Sequence, residues 1–233
     1  MYRAFDMRAH LKSATSLATV LLFLVPGVAT AQEAVHDWTG PYLGFTFGGA
    51  KGTTHFDLSG HVTNSSDIPV LGASGTVTLG VNAQSGNFVY GIAGDGSLLT
   101  VKGNGDAAGG TIDTALDQMF ALRGRLGLTT GNVLFFATAG LAVGHESFDS
   151  RIINSTPTNP RDALGNGYVY GPTYGAGVEV ALSDKVSLTA EGLVTNLSSL
   201  TASGDTGKSS GGSYTATATH SDVTLRGGLN FHF

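Results

Sequence analysis

Two histidines in the first half of the chain have a type and spacing that could bind a ligand. His55 and His61 are separated by five residues, and Asp57 lies between them. Imidazole nitrogens ligate haem iron and metal ions, so the pair is a candidate haem or ligand site. Two polar loop residues without a partner would give the same pattern, because this spacing is a weak metal motif. No metal site is predicted, and haem is the one cofactor considered.

No set of residues predicts catalysis. Cysteine is absent, which excludes cysteine nucleophiles, thiolate metal sites and disulfide scaffolds. The pairs His145–Glu146 and His220–Asp222 lie near predicted strand ends, where an interfacial or lumenal position is expected. The glycine-rich stretch 103–110 does not precede a helix, so it does not predict phosphate binding. A net charge of -5 provides no basic stripe for nucleic acid. We therefore expect neither an enzyme nor a nucleic-acid partner.

The first 31 residues have the pattern of an export signal. Three positive charges come first: Arg3, Arg8 and Lys12. An apolar core, Leu17–Val28, follows and ends in small residues, so we predict cleavage after Ala31. Translation from either Met1 or Met7 leaves this pattern intact. The mature chain would then span residues 32–233.

Turn signals divide the mature chain into strands. Residues 84–87, 129–132 and 182–185 are rich in Gly, Asn, Asp and Ser, and they predict tight hairpin turns. Four longer polar stretches, predicted as loops, cover about residues 51–73, 101–117, 149–167 and 201–213. Short and long connections alternate, which is typical of an up-and-down outer-membrane barrel. The sequence therefore predicts an all-β fold, an eight-stranded antiparallel up-and-down transmembrane β-barrel.

The predicted strands alternate between an apolar set and a polar set, and their charges fall on the polar set. In the first strand, for example, Leu43, Phe45 and Phe47 alternate with smaller or polar residues. A soluble β-sandwich or lipocalin-like barrel is the competing fold, but charged residues make up only 12% of the chain, too few to cover its surface. We predict that the strand charges face a narrow lumen and pair in one connected network. Its members are Asp95, Arg123, Arg125, Glu146, Glu179, Glu191, Asp222 and Arg226.

The chain ends on an alternating strand rather than a polar tail. Because a closed barrel pairs its last strand with its first, this strand is predicted to be a seam. Phe231 and Phe233 are expected at the periplasmic interface, with both termini, and the long loops on the opposite side. Trp38, directly before the first strand, is predicted to be an interface anchor. The strand ending in Phe233 resembles the signal that the outer-membrane insertion machinery recognises, so that machinery and outer-membrane lipid are predicted partners.

Several segments resemble the strands of small alphaproteobacterial outer-membrane β-barrel proteins, which include opacity-like, porin-like and haemin-binding surface proteins. The segments are DWTGPYLGFTFGGAKG (37–52), GNFVYGIAGDGS (86–97), LRGRLGL (122–128), ATAGLAVG (137–144), GAGVEVALSDKVSLTAEGL (175–193) and LRGGLNFHF (225–233). They cover all the predicted strands and few loop residues. Gly192 departs from the family pattern, which usually has tyrosine after the glutamate. The resemblance implies the outer membrane of a Gram-negative bacterium.

Together these observations predict an integral outer-membrane surface protein with a structural role in envelope integrity and loops exposed for interaction. A haem-binding or adhesin-type receptor that uses the loops to bind haem or a host ligand is one alternative. A small-solute porin is another. Eight strands enclose a space that side chains can fill, and a charge network would occupy it. We therefore expect weak ion conductance or none.

Overall fold

The structure, a computed structural model, describes residues 36–60, 63–107, 110–151, 163–205 and 213–233. The predicted signal peptide, residues 1–31, and His61 lie outside the described residues. Nine strands are described: β1 (Gly40–Gly60), β2 (Asn64–Ser85), β3 (Phe88–Ala107), β4 (Gly110–Thr130), β5 (Val133–Arg151), β6 (Ala163–Ser183), β7 (Val186–Asn196), β8 (Leu200–Asp205) and β9 (Ser213–His232). In this part of the chain no helix is long and apolar enough to cross a membrane.

The strands form a closed antiparallel ring. Each strand from β1 to β6 pairs with the next, β7 pairs with β9, and β9 pairs with β1. The short strand β8 pairs with the N-terminal part of β9, and β7 pairs with the remainder of β9. Strands β7 and β8 therefore occupy one position in the ring together. Backbone bonds from Leu197 N to His220 O and from Ser198 N to Tyr170 O hold the interruption between them in place. The predicted eight-stranded barrel is therefore confirmed.

The three tight turns lie where the sequence predicted them. Two residues join β2 to β3, β4 to β5 and β6 to β7. Gly86 and Gly131 have φ values of 60° and 58°, a left-handed conformation that glycine adopts without steric cost. These turns and the C-terminus share one end of the barrel, here called the turn end. The opposite end is called the loop end.

The strands reach further toward the loop end than the sequence predicted. Strand β1 continues to Gly60 and β2 begins at Asn64, so most of the range 51–73 is paired strand rather than loop. The ranges 101–117, 149–167 and 201–213 are likewise partly strand. Their polar composition suits an outward face in water, while alternate apolar residues point inward. The barrel wall therefore extends toward the loop end beyond the part whose outer surface is apolar.

The two faces of the wall change character along the barrel. In β1, Phe45 and Phe47 are exposed, whereas Phe56 and Leu58, nearer the loop end, are buried inside. The exposed apolar band continues around the ring through Leu79, Ile92, Leu122, Leu126, Leu141, Tyr170, Leu225 and Phe231. Inside the loop half, two clusters of buried apolar residues fill the lumen. A barrel wall in lipid is expected to have its apolar side chains on the outside, and a wall in water is expected to have them on the inside. The position at which the apolar side chains change faces therefore marks the loop-end border of the exposed apolar band.

The register tilts the strands and sets the height of each inward side chain. Starting at Tyr42, the register partners are Gly80, Ala93, Arg123, Gly140, Thr173, Thr195, Asp222 and finally Gly52, again on β1. One turn of the ring thus advances about ten residues along β1, a stagger that accompanies a tilt of roughly 40°. Residues distant in sequence are brought to the same level of the lumen by this stagger.

Candidate functional site in the barrel lumen

Four buried charges from four strands meet in the turn half of the lumen. Arg123 on β4 donates from Nε to Asp95 Oδ2 over 2.9 Å and from Nη1 to Glu191 Oε1 over 2.5 Å. Arg226 on β9 donates from Nη2 to the same two carboxylates over 3.0 and 2.6 Å. We call Asp95, Arg123, Glu191 and Arg226 the tetrad. Its two positive and two negative charges balance.

Hydroxyl groups complete the tetrad. Thr78 donates to Asp95 Oδ1 over 2.7 Å, and Thr138 donates to Glu191 Oε1 over 3.0 Å. Thr138 also accepts a bond from Arg123 Nη1 at 2.7 Å. Buried ion pairs are stable only when further hydrogen bonds replace the lost water. The threonines supply those bonds and fix the positions of the carboxylates.

A second group lies closer to the turn end. Arg125 forms an ion pair with Glu179, and its guanidinium carbon lies 3.8 Å from the ring centre of Phe136. Glu179 Oε1 also accepts from Ser187 Oγ at 2.5 Å and from Asn230 Nδ2 at 2.7 Å. This carboxylate is fully buried. One guanidinium and two neutral donors contact this carboxylate, and His232 Nε2 also lies 3.2 Å from its Oε1.

The remaining inward charges, Glu146 and Asp222, lie near the apolar clusters, and among the described residues no hydrogen bond or ion pair joins them to each other. His220 Nδ1 lies 3.1 Å from Thr54 Oγ1, and His220 Nε2 lies 3.4 Å from Asp222 Oδ1. Glu146 Oε1 accepts from Thr114 at 3.4 Å, while its Oε2 has no hydrogen-bond partner among the described residues. His145, the neighbour of Glu146, instead lies beside Asp117 at 3.0 Å on the outer surface.

The structure brings together most of the predicted lumenal residues but not all of them. All eight are buried and share the inward face. The sequence predicted one connected network, whereas among the described residues the charges divide into the tetrad, the Arg125–Glu179 pair and two separate carboxylates, Glu146 and Asp222. No hydrogen bond or ion pair among these residues joins the tetrad to the other charges. The stagger of the strands explains the division, because it places Glu179 and Arg125 below the tetrad and Glu146 and Asp222 above it.

Sequence reasoning missed the neutral partners. Thr78, Thr138, Ser187, Asn230 and His232 each contact a lumenal carboxylate or its partner. Thr138, Ser187, Asn230 and His232 have the same parity as the lumenal charges on their strands, and this was the available signal. Thr78 lacked that signal, because the one charged residue of β2, Asp67, has the opposite parity. The cavity left among these side chains and the tetrad has a volume of about 30 Å³, room for one or two water molecules.

Ser187, His232 and Glu179 have the residue types of a hydrolase triad but not its geometry. His232 Nε2 lies 2.9 Å from Ser187 Oγ and 3.2 Å from Glu179 Oε1, while Ser187 also contacts that same carboxylate oxygen. In a triad the carboxylate holds Nδ1 so that Nε2 is free to act as base. Ser187 is also fully buried, so it has no access to a substrate.

His55 lies in β1, on the outer wall near the loop end, rather than in a loop. Its Nδ1 is 2.6 Å from Asp67 Oδ1, and its Nε2 is 3.3 Å from Asp57 Oδ2. The hydrogen bond with Asp67, supported by both carboxylate charges, raises the pKa of His55 above the ordinary 6.5. Both ring nitrogens therefore have acidic neighbours. Among the described residues no group of three or more His, Cys, Asp or Glu side chains is placed to hold a metal ion.

Trp38 closes the turn end from inside, so its prediction as an interface anchor was wrong. Its side chain is 0% exposed, and its Nε1 donates to Thr129 Oγ1 over 2.9 Å. The backbone N of Trp38 donates to Gln84 Oε1 over 2.8 Å, and that of His36 donates to Gly131 O over 3.1 Å. The segment before β1 thus folds into the opening, where the indole ring packs beside His232.

Comparisons with known proteins agree with this architecture. The model of the outer membrane protein beta-barrel domain family matches residues 19–232. A 22 kDa outer membrane protein of Rhizobium leguminosarum bv. viciae is 32% identical over 161 residues, which cover 69% of this chain and 67% of that protein. The 31 kDa outer-membrane immunogenic protein of Brucella melitensis biotype 1 is 29% identical over 203 residues, 81% of this chain and 84% of that protein.

The described architecture also resembles solved barrels. The outer membrane protease OmpT of Escherichia coli superposes with a TM-score of 0.52, over 87% of this chain and 100% of that one, at 9% sequence identity. At this identity the likeness concerns the fold alone. The alphaproteobacterial outer-membrane family and the outer-membrane location predicted from the sequence are supported by the family match and by both relatives.

Proposed function

The chain belongs to the family of outer membrane protein β-barrel domains, and we propose that it is a closed barrel with a structural role in the envelope. The observation that carries the proposal is the filled lumen. The tetrad occupies the turn half, apolar clusters occupy the loop half, and Trp38 lies in the opening at the turn end. A small-solute porin needs a continuous aqueous path, and these three layers argue against one.

The proposed orientation places the turn end and both termini in the periplasm and the loop end outside. Short periplasmic turns and longer outer connections are the usual arrangement of such barrels. The Brucella relative is named an outer-membrane immunogenic protein, which also favours surface exposure of part of this fold. Cleavage of a peptide tag inserted at the loop end by protease added to intact cells tests this orientation.

A non-enzymatic role fits the lumen. The Ser187, His232 and Glu179 group is buried, with His232 Nε2 in contact with both of the other side chains, and the tetrad carboxylates are held by arginines. Charges fixed in this way stabilise the interior instead of reacting with a substrate. A haem receptor is not favoured, because His55 is already engaged by Asp57 and Asp67. When haemin is titrated into the wild-type protein or into His55→Ala, we expect no shift of the haemin Soret band.

Two measurements test the structural role. In planar bilayers the wild-type protein should give no steady conductance steps under conditions in which a general porin gives large ones. In cells, deletion of the gene should increase release of a periplasmic marker enzyme and of outer-membrane vesicles, and re-expression should restore both. A stable wild-type conductance, or a deletion strain with an intact envelope and slower solute uptake, would instead make passive transport the function.

A further inference from the structure

Two lysines stand on the outer wall at the loop-end border of the apolar band. Lys51 on β1 is the register partner of Leu71 on β2, and Leu71 is the register partner of Lys102 on β3. All three side chains are exposed and face outward, and Leu71 is 69% exposed. With neighbouring strands about 4.8 Å apart, the two lysine backbones are roughly 10 Å apart.

These lysines are unusual among the basic side chains that the structure describes. Arg123, Arg125 and Arg226 are buried in the lumen, and Lys185 lies in the turn between β6 and β7. In the described part of the chain neither Lys51 nor Lys102 has a hydrogen-bond or ion-pair partner. Asp113, the outward acid nearest to Lys102 by register, forms no ion pair with it in that part of the chain, and Asp57 and Asp67 contact His55. The two ammonium groups are thus available to an anion from outside the protein.

The wall directly below the lysines, toward the middle of the band, is shallow and largely apolar; the exception is Thr100, whose hydroxyl is hydrogen-bonded to the backbone of Ala73. Gly49 pairs with Ala73, and a Cβ placed on Gly49 would meet only the Gly72 carbonyl oxygen, at 3.8 Å. Phe47 and Leu98, which are 76% and 72% exposed, flank this strip on its turn-end side. A ligand with phosphate at the lysines and hydrocarbon along the strip would match both surfaces.

We infer that Lys51, Leu71 and Lys102 form a binding site for a phosphorylated glycolipid of the outer leaflet. The ammonium groups contact its phosphates, Leu71 contacts the first carbons of its acyl chains, and the strip at Gly49 and Ala73 accommodates a chain. Basic side chains at a membrane surface attract anionic headgroups in this way. The inference goes beyond the structural role and rests on the proposed orientation, because at the inner leaflet the lysines would meet phospholipid instead.

Native mass spectrometry of the full mature protein in detergent, titrated with bisphosphorylated lipid A, measures the affinity directly. The variant Lys51→Gln/Lys102→Gln should bind about thirtyfold more weakly, because each lysine contributes about 1 kcal/mol and 1.4 kcal/mol is tenfold. Lys185→Gln is the matched control and should bind as wild type does. All three proteins should keep the same heat-modifiable gel band, since the substituted side chains are exposed.

Titrations with other ligands distinguish a glycolipid from a phospholipid and from free phosphate. Monophosphorylated lipid A should bind more weakly than the bisphosphorylated form, and inorganic phosphate at millimolar concentration should not displace either lipid. Unchanged affinity in the double variant overturns the site, as does an equal loss in Lys185→Gln. Phosphatidylglycerol binding as tightly as lipid A overturns the assignment to an outer-leaflet glycolipid. An open conductance would refute the structural role alone, since these lysines lie outside the lumen.

Discussion

Replacing Arg123 with methionine tests the proposed role of the lumenal charges most directly. The change removes one of the two guanidinium groups of the tetrad while keeping much of the side-chain volume. Asp95 and Glu191 keep their bonds to Arg226, but the group then carries an excess negative charge. Breaking a buried ion pair from one side costs about 3–5 kcal/mol. Because Arg226 still contacts both carboxylates, we expect about 3 kcal/mol, roughly a hundredfold in the unfolding equilibrium.

A second substitution separates charge balance from packing. In Arg123→Met/Asp95→Asn the tetrad loses one charge of each sign, and Arg226 remains paired with Glu191. The asparagine oxygen still accepts a hydrogen bond from Thr78, as Asp95 does. The double variant should therefore be more stable than the sum of the two single changes predicts, by about 1–3 kcal/mol, as is usual for residues in contact.

Urea unfolding in lipid vesicles, followed by the fluorescence of Trp38, is a suitable assay. Trp38 is the single tryptophan of the chain and is fully buried, so its emission should shift to longer wavelength on unfolding. Far-ultraviolet circular dichroism checks that the whole barrel unfolds with it. Lys185→Met, on an exposed turn, should stay within about 0.5 kcal/mol of wild type. A loss below about 1 kcal/mol for Arg123→Met, or strict additivity in the double variant, would refute the reasoning.

Three further predictions concern other parts of the barrel. Arg125→Ala should lower the thermal stability by about 3 kcal/mol or more because it leaves Glu179 buried without its cation, and a Glu179→Gln background should reduce that loss; equal losses in both backgrounds would contradict the pairing. Neither brominated lipids nor aqueous acrylamide should quench the emission of Trp38. Quenching by the brominated lipids would indicate that Trp38 lies at the membrane interface. The raised pKa of His55 means that its pair with Asp67 adds stability below about pH 6.5 that is lost as the pH rises through the folded-state pKa. The half-exposed side chain limits that gain to under about 1 kcal/mol, and the difference between wild type and His55→Ala should shrink from pH 5.5 to pH 9; a constant difference would contradict it.

Strand alternation carried most of the fold prediction. Phe45 and Phe47 face outward and Asp95 faces inward because a strand has a strict period of two, and this period is visible in the sequence. The same period also marks where the band ends, since the buried Phe56 and Leu58 have the opposite parity to Phe45. That inversion was present in the sequence, but the polar residues around it led to the prediction of a loop.

The grouping of the lumenal charges was not accessible from the sequence. Whether Arg123 meets Glu191 or Glu179 depends on the stagger around the ring, which is a property of all the strand pairings together. The position of Trp38 depends on partners as distant as Thr129, and no local pattern distinguishes an indole turned into the opening from one turned toward lipid.

The seam between β1 and β9 has a consequence for the rate and order of assembly. Residues 42–60 pair with residues 214–232, so the two strands that close the ring are almost a whole chain apart, and contacts of such high sequence separation form slowly. Until they meet, each strand has an unpaired edge along its full length. Such an edge aggregates in water, and in hydrocarbon every unpaired backbone group costs several kcal/mol. A half-closed ring is therefore stable in neither medium, and closure should coincide with insertion in a single cooperative step whose late timing leaves the precursor dependent on chaperones.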